Sequence, residues 1–256
     1  MTRLRDRDSG CAWDIEQTHA SLLPYLIEEA FEVVESIEAD GTDGLAEELG
    51  DVLFQVVFHA RIAEEENRFR FEDVVAAICD KLVRRHPHVF ARQQPLSVEQ
   101  QSHQWQKQKD NERLQAGRDS TGASVLADVP LALPAILRSI KLQQRAARVG
   151  FDWSSVGEVL DKVDEELAEL REVIDKQQPA DRLEHEIGDL LLAVTNLARH
   201  AGIDPETALR AANRRFAQRF GHIEAEAERA GVPVSSLSLP EMEKLWQRAK
   251  DIERQT

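Results

Sequence analysis

The chain contains two copies of one sequence pattern, and this internal repeat constrains its fold more than any other feature. Residues 48–51 read ELGD and residues 186–189 read EIGD, 138 positions apart. Near the end of each copy, WQKQKDNER at 105–113 matches WQRAKDIER at 246–254. The order of the matching segments is kept and their spacing drifts by only a few residues, as in a duplicated domain.

The two copies divide the chain into tandem domains. We place an N-terminal repeat at 1–116 and a C-terminal repeat at 126–256, joined by a linker at 117–125 that is rich in Gly, Ser and Thr. Apolar residues recur at helical spacing, and no alternating strand pattern stands out. The sequence therefore predicts an all-α fold, two helical bundles built from antiparallel helix pairs. The expected helices are 16–39, 43–66, 71–85, 97–116, 130–147, 155–176, 180–201, 205–230 and 239–253.

Composition excludes several classes of protein. The net charge of −15 argues against a general nucleic-acid binder, which needs a basic surface. The sequence contains no apolar run of membrane-spanning length, and its first ten residues lack the apolar core of a signal peptide. Its two cysteines, Cys11 and Cys79, form no disulfide framework. We therefore expect a cytoplasmic protein that binds neither nucleic acid nor membrane.

Each repeat carries two acidic motifs, EExxE and ExxD, separated by about twenty residues. On a helical wheel, Glu166 lies at the border of the apolar stripe of helix 155–176, with Glu169 next beyond it and Glu165 pointing further out. The following helix, 180–201, is apolar in nearly every direction, and we expect it to be buried.

The second acidic motif places Glu186 and Asp189 one turn apart on that apolar helix. Four inward carboxylates from two antiparallel helices would repel one another, and the usual compensation is a hard dication. Oxygen ligands favour Mg²⁺, with Mn²⁺ as a substitute. Glycines recur in mid-helix at Gly50 and Gly188, which predicts close packing against the partner helix. A solvated helix face is the alternative for any single acidic motif, but the duplication favours a site.

The paired motifs resemble the signature of the all-α nucleoside triphosphate pyrophosphohydrolases, and the duplicated arrangement resembles the full-length MazG family. Supporting segments are 11–25, 50–63, 81–90 and 149–153. The resemblance implies Mg²⁺-dependent hydrolysis of (deoxy)nucleoside triphosphates between the α and β phosphates, a homodimer, and a role in cleansing nucleotide pools. No sequence feature identifies a regulatory protein partner.

The resemblance also implies roles for individual residues. The expected metal ligands are Glu166, Glu169, Glu186 and Asp189, beside Glu165 as a neighbour or water-positioning group, with a second site at Glu29, Glu32, Glu48 and Asp51. The expected substrate-binding residues are Lys141, Arg145, Asn196, Arg215, Arg219, Trp246 and Lys250. Taken singly, each of these cations is more typical of a solvated surface, and Trp246 is equally typical of a core anchor.

The two repeats differ at the position seven residues after the aspartate. Asn196 of the C-terminal repeat can hydrogen-bond a ligand, whereas Phe58 at the matching position cannot. We therefore predict that the C-terminal repeat carries most turnover. Two alternatives remain open at this point, a narrow dUTP-type diphosphatase and a catalytically silent helical scaffold that binds a partner protein.

Overall fold

The computed structural model describes residues 1–38, 44–90, 97, 100–101, 108, 124–127 and 129–254. These residues belong to two compact units, Met1–Asp119 and Ser120–Thr256. The expected linker lies largely outside the described residues, as does most of the expected helix 97–116, so the exact limits of the two repeats stay a prediction.

All the regular secondary structure described in the N-terminal unit is helical. Its helices are α1 (Ala12–Glu16), α2 (Leu23–Glu38), α3 (Leu45–Glu65), α4 (Phe71–Arg85) and the short α5 (Pro87–Phe90). Helices α2 and α3 pack against each other, and their short connection makes them antiparallel.

The C-terminal unit repeats this plan. Its helices are α6 (Ala135–Arg148), α7 (Val156–Asp175), α8 (Ala180–His200), α9 (Pro205–Arg229) and α10 (Leu239–Glu253), with a 3₁₀ turn at Val234–Ser236. Helices α7 and α8 form the antiparallel pair, α6 and α9 pack on α8, and α10 packs on α9. The described residues contain helices and no strands, which confirms the all-α prediction.

Two helix starts differ from the sequence expectation. The expected helix 16–39 is interrupted, because Thr18 and Ser21 exchange backbone-to-hydroxyl hydrogen bonds of 2.9 and 3.2 Å that close a turn before α2. Pro24 then lies in the first turn of α2, where a missing N–H costs nothing. The expected helix 130–147 begins only at Ala135, after Pro134.

The expectation that α8 is buried all round is wrong for the single chain. Its side towards α7 and α6 is buried, including Ala193 and Asn196, but Ile187, Leu191 and Val194 are 43%, 61% and 44% exposed. Periodicity shows which positions are apolar but not whether the same chain covers them. In the part of the chain that the structure describes, no helix combines the length and apolarity needed to cross a membrane.

The expected close packing at the mid-helix glycines is also wrong within the chain. A Cβ atom added to Gly50 or Gly188 would meet no atom of another element within 4 Å. Both glycines are exposed and lie on the uncovered sides of α3 and α8. Neither is therefore required for the approach of its own helix partner.

Candidate active site

Three carboxylates of the C-terminal unit meet between α7 and α8. Glu166 comes from α7, and Glu186 and Asp189 come from α8, with oxygens that all lie within 4.8 Å of one another. Glu166 is 6% exposed and Glu186 is 2% exposed. Glu166 Oε2 is buried and has no hydrogen-bond partner. A buried carboxylate oxygen without a donor, beside two further carboxylates, fits a hard divalent cation.

Each of these acids is paired with a basic side chain one helical turn earlier. Lys162 Nζ lies 2.8 Å from Glu166 Oε1, and Arg182 Nη2 lies 2.6 Å from Glu186 Oε1. Hydrogen bonds to Glu165 and Glu166 raise the pKa of Lys162 above its usual value, so that the ammonium stays charged. The half-buried Asp189 lies 3.4 Å from the exposed imidazole of His185. The cluster is therefore partly neutralised by its own helices.

A cleft of about 150 Å³ opens beside the cluster. Lys162 and Arg199, with the carboxylates of Asp152, Glu166 and Asp189, supply its charges, and Gln143 and Asn196 supply neutral polar groups. Its other lining residues are Ala146, Phe151, Trp153, Val159, Leu192 and Ala193. An apolar wall with two aromatic rings beside charged groups suits a ligand with a planar apolar part and an anionic part.

One polar network joins Asp152, Arg199 and Asn196, which all line the cleft. Asp152 accepts a hydrogen bond of 3.1 Å from Arg199 Nη1 and interacts with His200 Nε2 at 2.8 Å. Arg199, followed by His200, lowers the pKa of Asp152 to about 2. Arg199 Nε in turn donates to Asn196 Oδ1 at 2.8 Å, which orients the Asn196 amide.

Lys162, Arg182, Asp152 and Arg199 were not among the residues expected at the site. The sequence carried a signal for each pair: AWD at 12–14 aligns with GFD at 150–152, Arg61 aligns with Arg199, and Lys162 and Arg182 each precede an acid by four residues. The contact between Asp152 and Arg199 joins residues 47 apart, so only the tertiary structure reveals it.

The N-terminal unit has a corresponding cluster, formed by Glu29 of α2 and by Glu48 and Asp51 of α3. Burial, then the neighbouring Glu32 and Asp51, raises the pKa of Glu29, and burial with the same two acids raises the pKa of Glu48. Like charges at close range disfavour ionisation. Among the described residues no Lys or Arg pairs with these acids, although Gln55 hydrogen-bonds Glu29.

The N-terminal unit differs from the C-terminal unit at two of the positions that border the cleft. Phe58, at the position of Asn196, is 0% exposed and packs against Leu22 and Ile62. The Arg5 guanidinium lies 5.5 Å from the centroid of its ring. Gln55 stands at the position of the cleft-lining Ala193 and is 4% exposed. Two large side chains therefore occupy positions that border the cleft in the C-terminal unit.

The fourth expected ligand of each set lies outside these groups of three. Glu169 and Glu32 are exposed and are not among the oxygens within 4.8 Å, although Glu32 hydrogen-bonds Glu29. Glu165 is exposed and pairs with Lys162 at 2.8 Å, in agreement with its outward place on the helical wheel.

Most of the expected substrate-binding residues lie away from the cleft lining. Arg219 pairs with Glu253 at 2.7 Å and lies 5.5 Å from the Trp246 ring, and Arg215 and Lys250 also act on the Glu253 charge. These four expected residues are therefore brought together at the contact of α9 and α10. Lys141 is exposed on α6, and Arg145 of α6 donates to the carbonyl groups of residues 125 and 127. Of the seven expected residues, Asn196 alone is among the lining residues.

Comparison with known proteins places this geometry in a family. The model of the MazG nucleotide pyrophosphohydrolase domain matches twice, at residues 17–90 and 155–223. The chain belongs to the MazG family. Each matched MazG segment contains one carboxylate cluster, which confirms the tandem repeat. As a family member, the chain is a hydrolase that acts on acid anhydrides.

Similarity to individual MazG proteins extends over nearly the whole chain. The chain is 46% identical to the nucleoside triphosphate pyrophosphohydrolase of Escherichia coli over 98% of its own length and 94% of that protein. It is 42% identical to a MazG nucleoside triphosphate pyrophosphohydrolase/pyrophosphatase of Thermotoga maritima, over 98% and 92% of the two chains. The chain is also 42% identical to the protein YabN of Bacillus subtilis, over 97% of its own length and 50% of YabN.

Proposed function

We propose that the C-terminal unit is a Mg²⁺-dependent nucleoside triphosphate pyrophosphohydrolase that cleaves the α–β phosphoanhydride. The observation that carries this proposal is the buried, unpartnered Glu166 Oε2, within reach of two more carboxylates at the edge of a cleft with aromatic walls. Carboxylates that could hold a metal ion and a cleft that suits a planar group thus lie side by side, and the names of the relatives agree with this activity.

The cation would be held by Glu166, Glu186 and Asp189. Glu169, three residues after Glu166 on α7, would join them when a ligand draws the helices together. When bound, Mg²⁺ or Mn²⁺ neutralises phosphate charge and lowers the pKa of a water molecule. Lys162 and Arg199 lie where they can neutralise the remaining phosphate charge. Phe151 and Trp153 offer faces on which a base can stack.

The unequal repeats support turnover mainly in the C-terminal unit. The N-terminal unit keeps its acids but has Phe58 and Gln55 where the C-terminal cleft has Asn196 and Ala193. We propose that Glu29, Glu32, Glu48 and Asp51 form a second cation site without a nucleotide pocket of its own. Glu169→Ala should therefore remove most activity and Glu32→Ala little. The opposite result would exchange the roles of the two units.

We further propose that the chain is a homodimer. The apolar side of α8 with Ile187, Leu191 and Val194 is left uncovered by the described residues of its own unit, and a second copy of the chain could cover it. In this proposal, the cations at the contact of α9 and α10 reach a cleft, and so bind the substrate, only once the dimer has formed. Action on the nucleotide pool in the cytoplasm is part of the same proposal.

A nucleotide panel tests the function. Purified full-length protein is incubated with each of the common NTPs, dNTPs and dUTP, with Mg²⁺, Mn²⁺ or excess EDTA, and both pyrophosphate and orthophosphate are measured. We expect metal-dependent pyrophosphate with several nucleotides and no orthophosphate. Release from dUTP alone would indicate the narrow diphosphatase, and no release from any nucleotide would leave a helical scaffold.

A further inference from the structure

The two carboxylate clusters differ in the cations that their own helices provide. In the C-terminal unit, the side chains of Glu166 and Glu186 are only 8% and 3% exposed, and each contacts a permanent cation, Lys162 or Arg182. Charges that are this poorly solvated are weakly screened, so these ion pairs act more strongly than pairs on the surface.

The N-terminal cluster has no such arrangement. The residues four positions before Glu29, Glu48 and Asp51 are Tyr25, Gly44 and Glu47. Among the described residues, no ion pair with Lys or Arg reaches any of these three acids. The same protein therefore presents one compensated and one uncompensated carboxylate cluster on equivalent helix pairs.

We propose that Lys162 and Arg182 make divalent-cation binding at the C-terminal cluster depend on the nucleotide, whereas the N-terminal cluster takes the free ion. A free dication at the C-terminal cluster must displace two cations that hold the same carboxylates. An ion that arrives with a triphosphate brings new anionic acceptors for both side chains. In this respect the inference rests on the proposed function.

The positions of the two cations suit this exchange. Lys162 also lines the cleft, and its side chain is 33% exposed, so its ammonium can turn from Glu166 towards a ligand. The Arg182 side chain is 52% exposed at the rim of the cluster, although its guanidinium holds a buried oxygen. Both side chains carry a long flexible stem, so each charged group can move to a new acceptor while its backbone stays in place.

A Mn²⁺ titration of the full-length protein without nucleotide tests this assignment. Electron paramagnetic resonance measures the Mn²⁺ that stays free. We expect a tight site that Glu48→Gln removes and a weaker site that Glu186→Gln removes. Lys162→Met and Arg182→Met should each tighten the weaker site about tenfold, because one competing charge is lost. Lys176→Met is the matched control, since it breaks an i,i+4 pair with the exposed Glu172 of α7, and it should change neither site.

A second arm adds a non-hydrolysable α,β-methylene triphosphate. It should tighten the weaker site of the wild type at least tenfold and that of Lys162→Met much less. Unchanged or weaker Mn²⁺ binding in both charge variants, or two equally tight sites in the wild type, would overturn the inference, as would an analogue without effect. Pyrophosphate release, measured in parallel, reports separately on the proposed function.

Discussion

Asn196 separates the two repeats at the scale of a single residue. Its amide borders the cleft and accepts a hydrogen bond from Arg199, whereas Phe58 fills the corresponding space in the N-terminal unit. Asn196→Phe should therefore close the C-terminal cleft and lower kcat/KM at least tenfold through a higher KM for the nucleotide. Steady-state kinetics measure this effect. A variant with wild-type KM and an unchanged melting temperature would contradict this role.

Asp152 gives a prediction for pH. Its folded pKa of about 2 lies below the usual value of 3.8, so its contribution to stability is present above about pH 4 and is lost as pH falls towards 2. Because Asp152 is partly exposed, we expect Asp152→Asn to cost about 1 kcal/mol at neutral pH. Urea unfolding from pH 2 to 7 measures the difference between variant and wild type. A difference that stays constant over this range would contradict the argument.

At the scale of helices, Asp204 caps α9 by accepting a hydrogen bond of 2.9 Å from the backbone N–H of Thr207. Asp204→Ala should destabilise the protein by about 1 kcal/mol, the usual value for a lost N-cap. Asp204→Asn, which can still cap the helix, is the matched control. Denaturant midpoints for the two variants test this, and equal losses would show that the charge of Asp204 matters rather than the cap.

The helices also show how much of the structure can be predicted from the sequence. The 3.6-residue period of the sequence predicted α7 and α8 to within a residue at each end, and it correctly placed Glu166 inward and Glu165 outward. It did not predict that α8 is half uncovered, because Leu191 has the same pattern whether its cover is its own chain or another. The link from Asp152 to Arg199 was missed for a related reason, since it depends on how elements pack rather than on spacing along one helix.

For the whole molecule, the uncovered side of α8 predicts association. Leu191→Glu would place a charge on the surface that we propose pairs with a second copy, and should then shift the protein from dimer to monomer. Light scattering after size-exclusion chromatography measures the mass. Lys176→Gln, at the exposed end of the adjoining helix, lowers the net charge by the same one unit and is the control. A wild type that is monomeric at micromolar concentration would contradict the homodimer.

The replacement of the cleft-lining Asn196 by Phe58 in the N-terminal unit has a consequence for counting bound ligands. Because Phe58 and Gln55 stand where Asn196 and Ala193 border the C-terminal cleft, we expect one nucleotide per chain at saturation, and two cations if each described carboxylate cluster holds one. A titration that gives one nucleotide per chain would then be the result expected of fully active protein, and would not indicate that half of the sites are inactive. Activity per chain, rather than per cluster, is the quantity to compare with enzymes built from single repeats.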